Sequence, residues 1–218
     1  MRMKKLLIVL FAVSVFSAPE LVAQMGFDFG MNFEFMNREA PDGYKARGFG
    51  MGPYAGIIYG IPVSMSGTVN VGLNYKFDIL WGAPGATWDD KLLDPILLTN
   101  CDTDMREHHL QVPVLYNRSI GNFFCLSVGP VFDYCLSSKI TCGHVNWPVK
   151  NEDGTNGDMD CLKDFGMKPF NAYLKAGAGI GVKGFSFKLT ASYGILDLSP
   201  DGSGLHRWAV GMDFHLNL

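Results

Sequence analysis

The residues of this chain that could do chemistry include six cysteines and histidines and one acidic run. Zinc is bound by such side chains, but their spacing lacks the C-x-x-C and H-x-x-x-H pairs of typical sites. The run NEDGTNGDMD, residues 151–160, alternates oxygen ligands as calcium loops do, but it lacks their bidentate glutamate. We therefore predict no metal site and no cofactor. The six residues are Cys101, His108, His109, Cys142, His144 and Cys161.

A second set contains serines, histidines and an acid that together could support acyl transfer. No spacing among them pairs a nucleophile with a base, so we predict no catalytic residue. The motif GAGIG, residues 177–181, does not indicate a dinucleotide site, because it lies in a strand pattern and precedes a turn rather than a helix. The set comprises His108, His109, His206, Ser199, Ser203 and Asp201.

Most of these residues lie in connections between segments in which apolar and polar side chains alternate with a period of two. That period is the signature of a β-strand, and each segment has at least the ~9–11 residues that a tilted membrane strand needs. The last segment, RWAVGMDFHLNL, keeps the alternation to Leu218 and is predicted to pair with the first segment. Eight strands are predicted, over residues 26–36, 49–63, 68–81, 108–118, 123–138, 169–183, 185–195 and 207–218.

The connections between these segments are short and long in turn. Short turns follow strands two, four and six, and long loops follow strands one, three, five and seven. Short turns on one rim and long loops on the other are typical of outer-membrane barrels. The predicted fold is all-β, an eight-stranded antiparallel up-and-down transmembrane β-barrel. The predicted long loops are residues 37–48, 83–105, 141–168 and 199–206.

Glycines and aromatic residues indicate which face of the strands lies outside. Glycine fills much of the polar face, as a crowded interior of eight strands requires. Large aromatic residues on the apolar face gather toward the two rims, with Phe27 and Tyr116 at the short turns and Trp81 and Trp208 at the long loops. Such bands are expected at the two surfaces of a bilayer. The apolar face is therefore predicted to contact lipid; a soluble lipocalin-like carrier with reversed faces is the alternative.

The predicted interior carries acidic and basic side chains in nearly equal number. Opposite charges in so narrow a tube favour an interlocked network of ion pairs and hydrogen bonds. We predict a closed lumen, with a small-solute pore as an alternative. The predicted network contains Asp28, Glu34, Lys76, Asp78, Asp133, Lys175, Lys188, Arg207 and Asp213.

The N-terminus begins with the basic residues Arg2, Lys4 and Lys5, and an apolar run follows from Leu6 to Phe16. This order is typical of a secretory signal peptide, and the run is too short to span a bilayer as a helix. We predict a signal peptide over residues 1–23 and an outer-membrane barrel domain over residues 24–218. The net charge of −3 offers no basic face for nucleic acid.

Five cysteines remain to be assigned in a chain predicted to be exported, where disulfides are permitted. Cys142 and Cys161 bracket the loop 141–168 and are the predicted disulfide, although connectivity cannot be read from spacing. Cys101 and Cys135 could also bridge neighbouring loops. Cys125 is predicted to be a free thiol facing the lumen near the short-turn rim.

Two stretches of the sequence are similar to those of a known family. EHHLQVPVLYNRSIGNFFCLSVGPVFDYCL, residues 107–136, and KAGAGIGVKGFSFKLTASYGILDLS, residues 175–199, resemble the PorT-like outer-membrane β-barrel family. The shared features are Pro113, the pair Gly129 and Pro130, and a Y-G-x-x-D-L run. The resemblance implies an eight-stranded barrel in the outer membrane, a namesake in a secretion apparatus, and no catalytic residues.

The functional prediction is a non-enzymatic barrel whose long loops present a surface to a partner. The expected partners are outer-membrane lipid and envelope or secretion-apparatus proteins. The loop 83–105 is unusually apolar, as a docking segment is, although it could equally fold over the mouth of the barrel. A barrel enzyme that modifies outer-leaflet lipids is the alternative. The docking residues are Trp88, Leu92, Leu93, Ile96 and Leu97.

Overall fold

A β-sheet that closes on itself forms the body of the protein. The computed structural model describes residues 24–39, 45–81, 103–121, 123–142, 150–164, 166–182, 184–199 and 204–218. Its strands are β1 (Gln24–Glu39), β2 (Lys45–Ser64), β3 (Gly67–Trp81), β4 (Thr103–Ile120), β5 (Phe124–Cys142), β6 (Met159–Asp160), β7 (Phe170–Val182), β8 (Phe185–Gly194) and β9 (His206–Asn217).

Eight of these strands form a closed antiparallel barrel, which confirms the predicted fold class. The order around the barrel is β4-β3-β2-β1-β9-β8-β7-β5, and β5 pairs with β4 to complete the circle. The predicted seam forms between the first and last strands, with Phe27 opposite Leu216 and Phe35 opposite Trp208. Closure leaves the barrel without an open strand edge. An open edge in hydrocarbon would be costly, because its backbone N–H and C=O groups would have no hydrogen-bond partner.

Several strands extend beyond their predicted ends. β1 and β2 pair as far as Glu39 opposite Lys45, so most of the loop predicted at 37–48 is strand. β5 reaches Cys142, and the two-residue strand β6 pairs with it inside the loop predicted at 141–168. The strand pairing continues past the point where the regular alternation of apolar and polar residues ends. The sequence pattern therefore marks the lipid-facing part of each strand rather than its whole length.

An irregularity in β5 changes which side chains face the lumen. His109 lies opposite Cys135 and His108 opposite Ser137, so Leu136 is an extra residue with no partner on β4. Beyond this bulge the inward positions of β5 are Ser138 and Ile140, both fully buried. A β-bulge re-aims the side chains that follow it, and here it directs Ser138 toward the ionic centre of the lumen.

The two faces of the barrel differ as the sequence analysis predicts. Large apolar side chains such as Phe124 and Leu189 are exposed on the outside, whereas charged and amide side chains are buried inside. Aromatic rings stack along the seam, with 4.0 Å between the ring centroids of Phe35 and Trp208. Among the described residues there is no helix long and apolar enough to cross a membrane.

Interior glycines provide the room that the lumenal side chains occupy. A Cβ atom on Gly52 would lie 1.9 Å from Asp78 Oδ1, and one on Gly30 would lie 2.7 Å from the Tyr54 hydroxyl oxygen. Both distances are too short for any real contact, so an alanine at either position would displace a buried polar group. Glycine is needed at these two positions because neighbouring atoms fill the space that a Cβ atom would occupy.

Candidate functional site

The ionic centre of the lumen joins strands that are not neighbours in the sheet. Arg207 on β9 forms an ion pair with Glu107 on β4, and both side chains are about 99% buried or more. The Ser138 hydroxyl donates to Glu107 Oε1 at 2.7 Å. The pair spans the lumen, so removing either partner would leave an uncompensated charge in a site with almost no solvent exposure.

His109 occupies the middle of this centre. Its Nδ1 lies 2.7 Å from Asp133 Oδ1, and its Nε2 lies 3.3 Å from oxygens of both Glu107 and Asp78. Carboxylates surround both ring nitrogens, and the ring satisfies them only by donating from both nitrogens, as an imidazolium does. Gln111 completes the arrangement by donating to Asp133 Oδ2 at 2.6 Å.

Lys76 links this centre to Glu34 on β1. Its Nζ lies 2.5 Å from Glu34 Oε1 and 2.7 Å from Asp78 Oδ2, and its side chain is 1% exposed. Four carboxylates and three basic groups are therefore buried together in one part of the lumen. Five of these seven residues belong to the network predicted from the sequence, whereas Glu107 and His109 were not predicted. The sequence contains a signal for both residues, because Glu107 and His109 continue the alternation of inward-facing positions from Gln111 toward the long-loop rim.

A second ionic group lies nearer the short turns. Lys175 Nζ is 2.6 Å from Asp213 Oδ2, and the Thr190 hydroxyl is 3.2 Å from Asp213 Oδ1. Lys175 Nζ also lies 5.2 Å from the centre of the Tyr54 ring. Asn74 donates to Asp28 Oδ2 at 3.1 Å, which supplies a partner for that carboxylate. A cavity of about 20 Å³ beside these residues has room for about one water molecule.

The long-loop end of the lumen is closed by apolar side chains, which we call the plug. It combines residues from the strands with residues from the β5–β7 and β8–β9 connections. The two connections are tied together by a backbone hydrogen bond of 3.1 Å from Lys168 N to Leu198 O. The plug consists of Met36, Leu80, Met105, Cys135, Ile140, Met159, Cys161, Met167, Leu198 and Leu205.

The short-turn end is open and polar, and we call this cavity the vestibule. It has a volume of about 600 Å³. Lys188 at this end donates to Asn117 Oδ1 on β4 at 2.6 Å, across the lumen from its own strand. Cys125 also lines the vestibule as a free, buried thiol. All nine residues of the predicted lumenal network thus lie inside the barrel, but they form separate groups at different heights.

The predicted serine and histidine set does not come together in the described residues. The Ser199 hydroxyl donates to Asp197 Oδ1 at 2.6 Å, and Ser199 is fully buried. His108 faces outward and shares a hydrogen bond with the Tyr75 hydroxyl, whereas His109 faces inward. Asp201 and Ser203 lie outside the described residues. Ser199 therefore belongs to a loop that is held in place by hydrogen bonds to Asp197.

Asp197 organises the β8–β9 connection. Its carboxylate accepts from the backbone N–H groups of Ser199, Gly204 and Leu205 at 2.9, 3.1 and 2.8 Å. Partial burial alone would raise the pKa of Asp197, but these hydrogen bonds outweigh it and lower the pKa to about 2. The hydrogen bonds place Leu198 and Leu205 in the plug.

Three side chains in the lumen have the composition of a metal site. Ligand atoms of Glu107, His109 and Cys135 all lie within 4.8 Å of one another. Glu107 is already paired with Arg207, and His109 with Asp133. A cation there would face the Arg207 guanidinium, so the geometry favours the ion-pair network over a metal.

The cysteine pairing stays a prediction. Cys161 is a free thiol in this structure, and the side chain of Cys142 lies outside the described residues. Burial raises the pKa of the Cys161 thiol to about 12, which keeps it protonated and unreactive. The predicted docking residues, Trp88, Leu92, Leu93, Ile96 and Leu97, lie outside the described residues as well.

A closed barrel with an apolar exterior and a charged interior is a transmembrane β-barrel. Residues 17–199 match the sequence model of the outer membrane protein beta-barrel domain family, so the chain belongs to that family. Its location is accordingly the outer membrane. Among curated proteins, no sequence match to this chain is found.

Similar solved structures are barrels with very different sequences. Neisserial surface protein A (NspA) has a TM-score of 0.49 and 9% identity, covering 88% of this chain and 97% of its own. Ail, the attachment invasion locus protein of Yersinia pestis, in complex with the heparin analogue sucrose octasulfate, has a TM-score of 0.43 and 12% identity, covering 89% and 99%. The outer membrane enzyme PagL has a TM-score of 0.36 and 8% identity, covering 86% and 99%. Identities this low say nothing about a shared activity.

Proposed function

We propose that this protein is a non-conducting, non-enzymatic barrel of the PorT-like kind, which presents its long-loop end to envelope or secretion-apparatus proteins. The observation that carries the proposal is the plug. Ten buried apolar residues from strands and loops fill the lumen at the end where long loops lie. A barrel closed in this way does not conduct, so its long-loop surface is the part that we expect to contact partner proteins.

The ionic centre supports closure independently of the plug. A hydrated ion crossing the lumen would have to separate Arg207 from Glu107 and Lys76 from Glu34, and all four side chains are at least 96% buried. Each separated charge would lose its partner in a medium of low dielectric constant, at several kcal/mol per ion. Steady conduction through this path is therefore not expected.

The long-loop end offers an ordered polar surface for docking. Asp104, Arg106 and Lys139 are exposed at the ends of β4 and β5, and Arg106 lies directly opposite Lys139. On its other side Lys139 lies opposite Asp160 of β6, so this surface carries charges of both signs. The turn beyond is held by the Thr155 hydroxyl, which lies 2.6 Å from Asp153 Oδ1. The apolar segment with Trp88 and Leu93 would add hydrophobic contacts to this surface.

Site-specific cross-linking in intact cells tests the docking proposal. A photo-reactive residue at Lys139 is expected to give a discrete protein adduct, and the same residue at Met65, on the opposite rim, is the matched control. Replacing Trp88 and Leu93 with aspartate should abolish the Lys139 adduct while the barrel stays folded. Equal adducts from both rims, or none from Lys139, would contradict the proposal.

Two further measurements separate this proposal from its alternatives. Planar-bilayer recordings of the purified barrel should show no steady current, and a large one would indicate a pore. Lipid profiles of cells with and without the protein should be identical, whereas altered acyl chains would indicate an enzyme. The burial of Ser199 supports the non-enzymatic assignment, because a buried hydroxyl bonded to a carboxylate cannot reach a lipid ester.

A further inference from the structure

The vestibule has a lining whose chemistry differs from the rest of the lumen. Hydroxyl and amide side chains dominate it, including Thr68, Asn70, Ser119 and Ser186. Lys188 is the one lysine or arginine among its lining residues, and none of them is a carboxylate. In a chain of net charge −3, a cavity with a solely positive lining is suited to an anion.

Lys188 lacks the partner that the strand register would supply. It lies directly opposite Asp213 on β9, but Asp213 is held by Lys175 at 2.6 Å. Lys188 reaches across the lumen to the neutral Asn117 Oδ1 instead. No carboxylate oxygen of the described residues lies within ion-pair distance of its Nζ, and Lys188 is only 7% exposed. An ammonium group with three donors thus has one neutral protein acceptor.

His215 provides a second unused polar group at the same cavity. It is 9% exposed, and its Nε2 lies 2.6 Å from Asn217 Oδ1. Its Nδ1 is buried and has no hydrogen-bond partner. Because Nε2 donates to the Asn217 oxygen, Nδ1 of a neutral imidazole carries the lone pair, so the cation that an anion would meet at this cavity is Lys188.

We propose that the vestibule binds an oxyanion, the carboxylate or phosphate group of a small organic solute that enters from the short-turn side. Lys188 pairs with the anion, and lining hydroxyl groups such as that of Ser186 can donate hydrogen bonds to it. The volume of about 600 Å³ lies in the ~300–1,000 Å³ range of small-molecule sites, so it accommodates the rest of such a solute. In outer-membrane barrels the short turns face the periplasm, so the ligand is periplasmic.

Titration calorimetry of the purified protein in non-ionic detergent tests the proposal, with inorganic phosphate and succinate as the two probes. Saturable one-to-one binding is expected at constant ionic strength, with chloride as the non-binding reference. Saturation by phosphate alone assigns a phosphate group to the ligand, and saturation by succinate alone assigns a carboxylate. Lys188→Met should weaken binding by about tenfold or more. Lys139→Met, which removes the same charge at the opposite rim, should leave it unchanged.

Alkylation of Cys125 gives a second measurement that needs no variant. Cys125 lines the vestibule, so a bound anion should slow its reaction with a maleimide, followed at that cysteine by mass spectrometry. Protection by phosphate or succinate but not by chloride supports the site. If neither probe saturates or protects, or if Lys188→Met binds as well as the unchanged protein, the proposal is wrong.

Discussion

The two ends of the lumen are built from the same eight strands, but one end is filled with side chains and the other is an open cavity. At the long-loop end, side chains from strands and loops fill the tube with apolar atoms, and the ionic centre lies directly beneath them. At the short-turn end, three tight turns contribute no such cover, and a polar cavity of about 600 Å³ remains. Long loops can return side chains to the lumen, whereas short turns cannot, so connection length decides which end is filled. The predictions below test this contrast, from the largest expected effect to the smallest.

Removing one buried cation from each end should have very different consequences. Arg207→Met leaves Glu107 buried without its partner and should lower the free energy of unfolding by about 3–5 kcal/mol. Lys188→Met leaves no carboxylate behind and should change it by less than about 1 kcal/mol. Urea unfolding in lipid vesicles measures both variants. Equal losses would show that the two ends do not differ in packing.

Shortening an apolar side chain at each end tests the plug. Leu205 is fully buried, and Leu205→Ala should cost about 2–4 kcal/mol through lost burial and the cavity left behind. Met65 is fully exposed at the opposite rim, so Met65→Ala should have no measurable effect. The same urea experiment compares them, and a neutral Leu205→Ala would mean that the plug does not contribute to folding.

Replacing a glycine with alanine adds one methyl group and tests how tightly the surrounding part of the lumen is packed. Gly52→Ala places a Cβ 1.9 Å from Asp78 Oδ1 and should destabilise the barrel by about 1–3 kcal/mol. Gly181→Ala, which lines the vestibule, meets no atom closer than 3.4 Å and should be nearly neutral. Thermal unfolding of the two variants in the same detergent is the comparison. A costly Gly181→Ala would contradict an open vestibule.

The Asp197 loop should add a small pH dependence that is confined to the long-loop end. Its pKa is lowered from 3.8 to about 2, so its carboxylate stabilises the folded state above about pH 4, and this contribution is lost as the pH falls to about 2. Because the group is only partly buried and solvent screens it, the effect should stay below about 1 kcal/mol. Asp197→Asn should remove that part of the acid dependence. An unchanged acid profile in the variant would show that the loop does not depend on this carboxylate.

Individual residues show how far sequence reasoning reaches in this protein. The outward position of Leu110 and the inward position of Gln111 follow from alternation, and the seam between Phe27 and Leu216 follows from closure. The pair formed by Arg207 and Glu107 does not, because their strands are separated by three others around the barrel. The extra residue Leu136 could not be predicted either, since a bulge leaves no periodic signal until its partner strand is known.

The order of residues along the chain was sufficient to set the number of barrel strands, their outer and inner faces and the closing pair, because a period of two reports which side of a sheet a side chain occupies. It could not set the height or the angular position of a side chain inside the tube. Those depend on strand tilt, register and the bulge, which exist only once the sheet has closed. The tertiary structure alone therefore decided that Arg207 meets Glu107, that Asp213 takes Lys175, and that Lys188 is left facing the open vestibule.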